Sequence, residues 1–268
     1  MVKIIFLGTA GTSSVLTKSA RHSGGVIIQS DDAQIHINPG PGIVTAARAS
    51  GVDLRNTICF LVTYSSLLHC NDLNLAVDIM TFGGIERRGL LVGSNSVING
   101  SEDEHAFLSV RHKNLLEKVV VLEGDNKIGL GSVEIKAIKT ESFDETAAGY
   151  KLHFPNFTLS YPGHCYLSDD LIEQLKGSDV LILPLLKMAN ETEKKTLDVF
   201  AIQQIIEKVK PKLAIMTDFG TEIIREGPID IAREIQRATG IQCLASKDGL
   251  ILTPEGLGQR SLVSGYNV

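Results

Sequence analysis

The chain has 268 residues, of which 43% are hydrophobic, and a formal net charge of −5. This length is enough to bury one large core or two fused half-cores, and the negative charge does not suggest broad binding to nucleic acid or to an anionic membrane surface. No apolar run reaches the roughly 18 residues of a membrane span and the N-terminal run is too short for a signal peptide, so we expect a cytoplasmic protein.

The first half of the chain predicts an alternation of short strands and helices. Residues 2–7 are an apolar run that predicts a strand, and the glycine-rich stretch 8–14 that follows predicts a turn. Because that turn has neither a GxGxxG spacing nor a GK[ST] ending, it predicts a plain turn rather than a phosphate cradle. The hydrophobic pattern predicts further strands at 25–29, 34–37, 57–63, 89–93 and 119–122, and helices at 43–50, 71–82 and 113–117.

The second half predicts an antiparallel group followed by helix–strand alternation. The pattern predicts antiparallel strands at 127–128, 133–138, 149–154 and 157–161. It then predicts helices at 167–175, 199–209 and 229–239, and strands at 180–185, 213–217, 242–245 and 250–253. Two comparable halves of this kind suit two sheets packed face to face with helices outside. No linker divides them, so we expect one domain over residues 1–253, followed by a C-terminal tail, 254–268.

Four cysteines and one acidic segment need separate interpretation. The cysteines form no CxxC pair and are too few for a disulfide scaffold, and Cys59 and Cys243 fall in apolar runs that predict buried thiols. The polar segment 95–112 contains Glu102, Asp103, Glu104 and His105. Consecutive acids on a polar loop predict a solvated surface more strongly than a metal cluster.

The stretch 57–74 is the centre of the sequence. Residues 57–63, TICFLVT, predict a strand buried on both faces, and a helix is predicted from Asn71. Residues 64–70 therefore lie on the loop at the carboxyl end of a central strand, where ligands and chemistry gather in layered α/β proteins.

This stretch resembles a motif of metallo-β-lactamase-fold hydrolases. Their strand ends in Thr-His-x-His-x-Asp-His, which holds a pair of zinc ions, whereas this chain reads TYSSLLH from Thr63. Thr63 and His69 match, while Tyr64, Ser66 and Leu68 replace two histidines and an aspartate. The resemblance extends over LGT at Leu7, PGPG at Pro39 and TDFG at Thr217, nearly the whole chain. It implies an α/β fold, the four-layer αββα sandwich.

The resemblance also identifies further positions of the site. Asn38 stands where the family has an aspartate that supports the metal ligands, and Glu141 or Ser142 stands at the place of another histidine. His164, in YPGHC, replaces the bridging aspartate, and Asp218 replaces the last histidine. Of seven ligand positions only His69 keeps its residue, so a two-metal hydrolase is not expected.

The residues favour the first of three functional classes, with the second as the alternative. In the first, a non-catalytic or altered member keeps a ligand pocket at Tyr64, Ser66, Leu68, His69, Asn38, Ser142, His164 and Asp218, without metal. In the second, His69, His164 and Asp218 hold one zinc or iron ion and hydrolyse an ester, lactone or phosphodiester. In the third, Ser65, Ser66, Cys70 or Cys165 is a nucleophile with His69 or His164 as base. The sequence names no small-molecule ligand, and the apolar residues of the tail are compatible with a homo-oligomer.

Overall fold

Two seven-stranded sheets organise the chain, each built from short apolar strands. The computed structural model describes residues 1–18, 21–102, 104–121, 126–189 and 196–254. The strands are β1 (Lys3–Phe6), β2 (Val26–Gln29), β3 (Gln34–Ile37), β4 (Cys59–Val62), β5 (Leu90–Gly93), β6 (Lys118–Val121), β7 (Lys127–Leu130), β8 (Val133–Lys139), β9 (Ala148–His153), β10 (Thr158–Tyr161), β11 (Val180–Pro184), β12 (Leu213–Thr217), β13 (Cys243–Ala245) and β14 (Ile251–Leu252).

Short helices connect many of these strands. They are α1 (Ser13–Lys18), α2 (Ile43–Ala49), α3 (Leu67–Cys70), α4 (Leu73–Met80), α5 (Asn95–Asn99), α6 (Val110–Leu115), α7 (Asp169–Leu175), α8 (Val199–Val209), α9 (Thr221–Glu226) and α10 (Pro228–Thr239), with a 3-10 turn at Leu54–Asn56. Among the described residues, no helix is long and apolar enough to cross a bilayer.

The first compact unit contains the described residues of Met1–Gly8, His22–Leu122 and Asp248–Val268. Its sheet has the order β14-β1-β2-β3-β4-β5-β6. The strands pair antiparallel from β14 to β3 and parallel from β3 to β6. All four residues of β4 are buried, as its unbroken apolar run predicts. Helices α2 and α4 bury Ala46, Ala47, Leu73 and Val77 in the core of this unit.

The second compact unit contains the described residues of Thr9–Arg21 and Glu123–Lys247. Its sheet has the order β13-β12-β11-β10-β9-β8-β7. The predicted antiparallel group is confirmed from β7 to β10, and the strands from β10 to β13 are parallel. Helix α8 buries Ala201, Ile202, Ile205 and Ile206 on one face, at the spacing of an amphipathic helix.

Several predicted boundaries differ from the observed ones. Helix α1 begins inside the predicted glycine-rich turn, and α9 follows β12 where no helix was predicted. The predicted helix 113–117 lies further toward the N-terminus, at Val110–Leu115, because the Ser109 hydroxyl accepts a hydrogen bond from the His112 amide and caps it there. The predicted tail falls almost entirely outside the described residues.

The buried-thiol prediction is confirmed. Cys59 and Cys243 are free and buried, as are Cys70 and Cys165. Burial raises the pKa of the Cys70 and Cys165 thiols to about 12. Because the thiolate is the nucleophilic form, this protonation state weighs against a cysteine nucleophile near neutral pH.

Candidate functional site

In the first unit, the candidate residues lie at the carboxyl ends of two neighbouring parallel strands. Asn38 follows β3 and Tyr64 follows β4, and these strands pair in parallel. Carboxyl ends of parallel strands meet at one edge of a sheet, which is why sequence positions 38 and 63–69 come together.

The side chain of Asn38 supports the backbone at the end of β4. Its side-chain oxygen accepts hydrogen bonds from the Thr63 amide (2.9 Å) and the Thr63 hydroxyl (3.2 Å), and the residue is buried. Its backbone has a φ of +53°, a conformation that asparagine tolerates better than most residues. Asn38 therefore fixes the start of the 64–69 loop.

The loop itself turns directly into helix α3, which carries His69. The backbone carbonyl of Ser66 accepts hydrogen bonds from the amides of His69 (3.0 Å) and Cys70 (2.9 Å). The Ser23 hydroxyl donates to the carbonyl of Leu68 at 3.0 Å. The rings of Tyr64 and His69 meet edge to face with centroids 4.6 Å apart, and both are buried. These contacts fix the position and ring plane of His69.

In the second unit, His164 and Asp218 come together from the ends of two strands of the parallel group. His164 follows β10 after a turn, and Asp218 follows β12. The imidazole Nε2 of His164 lies 3.8 Å from Oδ2 of Asp218, and both residues are at least nine-tenths buried. Since β11 pairs in parallel with both β10 and β12, all three strands end at the same edge.

Tyr161 is a site residue that the sequence did not identify. Its hydroxyl donates to Oδ2 of Asp218 at 2.7 Å, and its side chain is buried. Tyr161 opens the YPGHC motif, but only the register of three strands brings it to a residue 57 positions away.

Burial sets the protonation of this pair. It lowers the pKa of His164 to about 4, and it raises the pKa of Asp218 to about 6 against the opposing effect of the Tyr161 hydrogen bond. Near neutral pH the imidazole is therefore neutral and the carboxylate mostly ionised. These are the forms in which both side chains bind a metal.

The remaining candidates are one buried serine and a group of exposed polar residues. Ser142 follows β8, and its hydroxyl oxygen is buried with no hydrogen-bond partner among the described residues. Glu102, Glu104 and His105 are exposed, as the surface interpretation predicts, and Asp103 lies outside the described residues.

A family model described as a β-lactamase superfamily domain matches residues 20–218, about three-quarters of the chain. The chain belongs to this superfamily.

One relative and three solved structures illustrate how this superfamily member compares. It is 28% identical over 252 residues to the uncharacterized protein MJ1374 of Methanocaldococcus jannaschii, covering 93% of this chain and 94% of that protein. It is similar to the metallo-β-lactamase fold protein YhfI from Bacillus subtilis (TM-score 0.77, 14% identity, 93% and 98% of the two chains covered). It is also similar to a diphosphatase of the PhnP family (0.70, 18%, 94% and 98%) and to Zn²⁺-bound PqqB from Methylobacterium extorquens (0.68, 14%, 94% and 100%).

These comparisons confirm the fold that the sequence predicts. The two mixed sheets with their helices match the α/β metallo-β-lactamase sandwich, the predicted αββα class. Metal-dependent hydrolases are among the structural neighbours of this superfamily member. Because their sequence identities to this chain are below 25%, these structures show its fold alone. The ligands and substrates of those proteins are properties of those proteins.

Proposed function

We propose that this protein is a hydrolase of the β-lactamase superfamily that works with one divalent metal ion, zinc or iron(II), bound by His69, His164 and Asp218. The observation that carries the proposal is the buried His164–Asp218 pair with the Tyr161 hydroxyl on the carboxylate. We include His69 because it matches the last histidine of the family motif and is held at the end of β4.

The donor set fits one metal ion. A neutral imidazole and an ionised carboxylate are zinc and iron(II) ligands, and a hydroxyl that hydrogen-bonds a ligating carboxylate is a usual outer partner. An ionised Asp218 beside a neutral imidazole is a buried negative charge, and a cation would offset the cost of burying it. A pair of ions needs about seven ligands, and Tyr64, Ser66, Leu68 and Ser142 do not supply the rest.

The chain's own residues would divide the remaining work. A bound ion supplies a Lewis acid that polarises a carbonyl or phosphoryl oxygen. Tyr161 orients the Asp218 carboxylate, and Tyr64 holds the ring plane of His69. Leu68 stands where the family has a carboxylate and is unable to accept a proton. General-base catalysis contributes typically about 10²–10⁴-fold, so we expect slow hydrolysis of an ester, lactone or phosphodiester.

The second candidate is a non-catalytic member that binds a small ligand without metal. Two observations favour it: Leu68 removes the family's carboxylate, and the ring of Tyr64 packs against His69. In this candidate the histidines and Asp218 only satisfy one another and nearby groups.

Metal content decides between the two candidates. The protein is stripped with a chelator, exposed separately to Zn²⁺, Mn²⁺, Ni²⁺ and, without oxygen, Fe²⁺, then desalted and measured by elemental mass spectrometry. We expect about one ion per chain, lost in His69→Ala/His164→Ala and in Asp218→Asn. The matched control, His22→Ala/His105→Ala, removes two exposed histidines and should keep the ion.

The outcomes separate the classes. About two ions per chain would contradict the single-metal site, and no retained ion would favour the non-catalytic candidate. Where one ion is retained, hydrolysis of p-nitrophenyl acetate, γ-butyrolactone and bis(p-nitrophenyl) phosphate should require it. Metal binding without hydrolysis of any of these would count against the hydrolase proposal while leaving the site.

A further inference from the structure

Residues 9–11, which lie within the glycine-rich turn 8–14, pair with the backbone that directly follows β12 in the second unit. The Phe219 amide donates to the carbonyl of Thr9 (2.8 Å), and the Gly11 amide donates to the carbonyl of Phe219 (3.0 Å). Ala10 and Phe219 form an isolated parallel bridge. The 9–11 turn thus pairs with the chain immediately after Asp218.

Backbone hydrogen bonds also hold the other side of residues 217–220. The Leu185 amide donates to the carbonyl of Thr217 (2.9 Å), and the Gly220 amide donates to the carbonyl of Leu185 (3.2 Å). A side chain at Gly220 would overlap the carbonyl of Leu186. Residues 217–220 therefore run between two pieces of backbone that contact them on both sides.

Asp218 lies between these two pieces of backbone, which we call the clamp, and it has an unusual backbone conformation. Its φ is +50°, a left-handed conformation that is uncommon for non-glycine residues, although aspartate adopts it more readily than most. A methyl group at Gly11 would overlap the carbonyl group of Asp218. The turn therefore closes on the Asp218 peptide only because residue 11 has no side chain.

We propose that the 9–11 turn is the element that positions Asp218, with Gly11 as the positioning residue. Its contact with the peptide of Asp218 fixes the left-handed backbone and so aims the carboxylate at the Tyr161 hydroxyl. The turn acts through the backbone and touches no ligand.

Arg21 strengthens the clamp. Its guanidinium Nη1 donates to the Thr9 hydroxyl at 2.6 Å, and its Cζ lies 5.1 Å from the ring centroid of Phe219, within cation–π range. One side chain therefore connects the two pieces of backbone that pair. The Gly11 amide is bonded to the carbonyl of Phe219, so it is not available to bind a phosphate in this conformation.

The test uses the absorption of tyrosine, because the chain has five tyrosines and no tryptophan. A tyrosine hydroxyl that donates to a carboxylate absorbs at longer wavelength than one that does not. The near-ultraviolet spectrum of metal-free Gly11→Ala is compared with those of the wild type and Tyr161→Phe, which defines the Tyr161 contribution. Gly129→Ala is the matched control, since a methyl group there meets nothing within 4 Å.

We expect Gly11→Ala to keep its far-ultraviolet circular dichroism and to shift the Tyr161 band to shorter wavelength, while Gly129→Ala leaves the band unchanged. A second expectation, for metal binding, rests on the proposed function. The Co²⁺ dissociation constant of Gly11→Ala should be at least about tenfold higher than that of the wild type. If the wild type binds no Co²⁺, the proposed function fails, and the tyrosine band still decides the positioning role.

A folded Gly11→Ala protein with the wild-type tyrosine band would overturn the inference. Should Gly11→Ala not fold, Thr9→Val replaces it, because that variant removes the hydroxyl to which Arg21 donates without adding bulk. A shift in the same direction but smaller is then the supporting result, and an unchanged band overturns the proposal.

Discussion

His36, in the middle of β3, is a fully buried histidine outside the candidate site. Its Nε2 donates to the carbonyl of Gly24 at 2.8 Å, while its buried Nδ1 has no partner among the described residues. Burial lowers its pKa to about 4, against the raising effects of the Gly24 bond and the charge of Asp72. A proton on Nδ1 would be a buried donor with nothing to bond, next to the ring of Phe60.

This histidine should make the protein less stable in mild acid. The pKa is lower in the folded chain than the 6.5 of an unfolded one, so the unfolded chain binds the proton first as the pH falls. The contribution of His36 is complete above pH 6.5 and is lost toward pH 4, by about 2 kcal/mol at pH 5. Urea unfolding at pH 7.5 and pH 5 should show this loss in the wild type relative to His36→Gln. Equal losses in the two proteins would contradict it.

At the same scale, the sequence identified the two candidate ligands of the second unit, His164 and Asp218, but not their hydrogen-bond partner Tyr161. His164 and Asp218 occupy motif positions, so alignment with the family pattern finds them. Tyr161 becomes relevant only because β10, β11 and β12 are parallel and in register, and no local pattern encodes that register. Pairings of this kind arise from tertiary structure.

At the scale of elements, helix α8 has an N-terminus that the sequence specifies well. The carboxylate of Asp198 accepts a hydrogen bond from the Ala201 amide at 2.8 Å, and the predicted bounds 199–209 match the observed Val199–Val209. An apolar face in period with the helix and a capping aspartate agree in this segment.

We therefore expect Asp198→Ala to lower the free energy of unfolding by about 1 kcal/mol, because a free amide at the helix start loses its acceptor. Asp198→Asn keeps an acceptor oxygen and should cost much less. Chemical denaturation of the two variants measures the difference, and equal costs would show that the cap hydrogen bond is not the cause.

Short helices were the elements that the sequence missed. Helices α1 and α9 have six residues each, too few for a hydrophobic period to appear, and each follows a glycine-containing turn after an apolar segment. Such segments are helical because neighbouring backbone and core residues hold them, as Ile223 does in the core of the second unit.

At the scale of the whole molecule, metal binding should appear as thermal stability. A ligand that binds only the folded chain at about 100 times its dissociation constant adds about 2.7 kcal/mol, which raises Tm by roughly 5–10 °C for a protein of this size. Calorimetry with and without Zn²⁺ should show this rise in the wild type and in His22→Ala/His105→Ala. The same rise in His69→Ala/His164→Ala would place the ion elsewhere.

The fold as a whole was the most predictable level. Scaffold motifs from Leu7 to Gly220 resemble the metallo-β-lactamase class, and the order of predicted strands and helices suits two packed sheets with helices outside. The family match confirms the class. Scaffold glycines and buried strands are set by backbone geometry, which many sequences share. Chemistry depends on single side chains. Because Tyr64, Ser66 and Leu68 differ from the residues of the family motif, the sequence does not identify a substrate.

The edge pairing in the first unit has a consequence for biosynthesis. Ile4 and Ile5 of β1 pair with Leu252 and Ile251 of β14, so β1 is synthesised long before the strand with which it pairs. Until Asp248 and the residues after it are made, β1 carries an open hydrogen-bonding edge, the kind of surface that recruits other chains. A nascent chain, or one that ends before β14, therefore exposes this edge, and we expect it to aggregate more readily than a chain that includes β14.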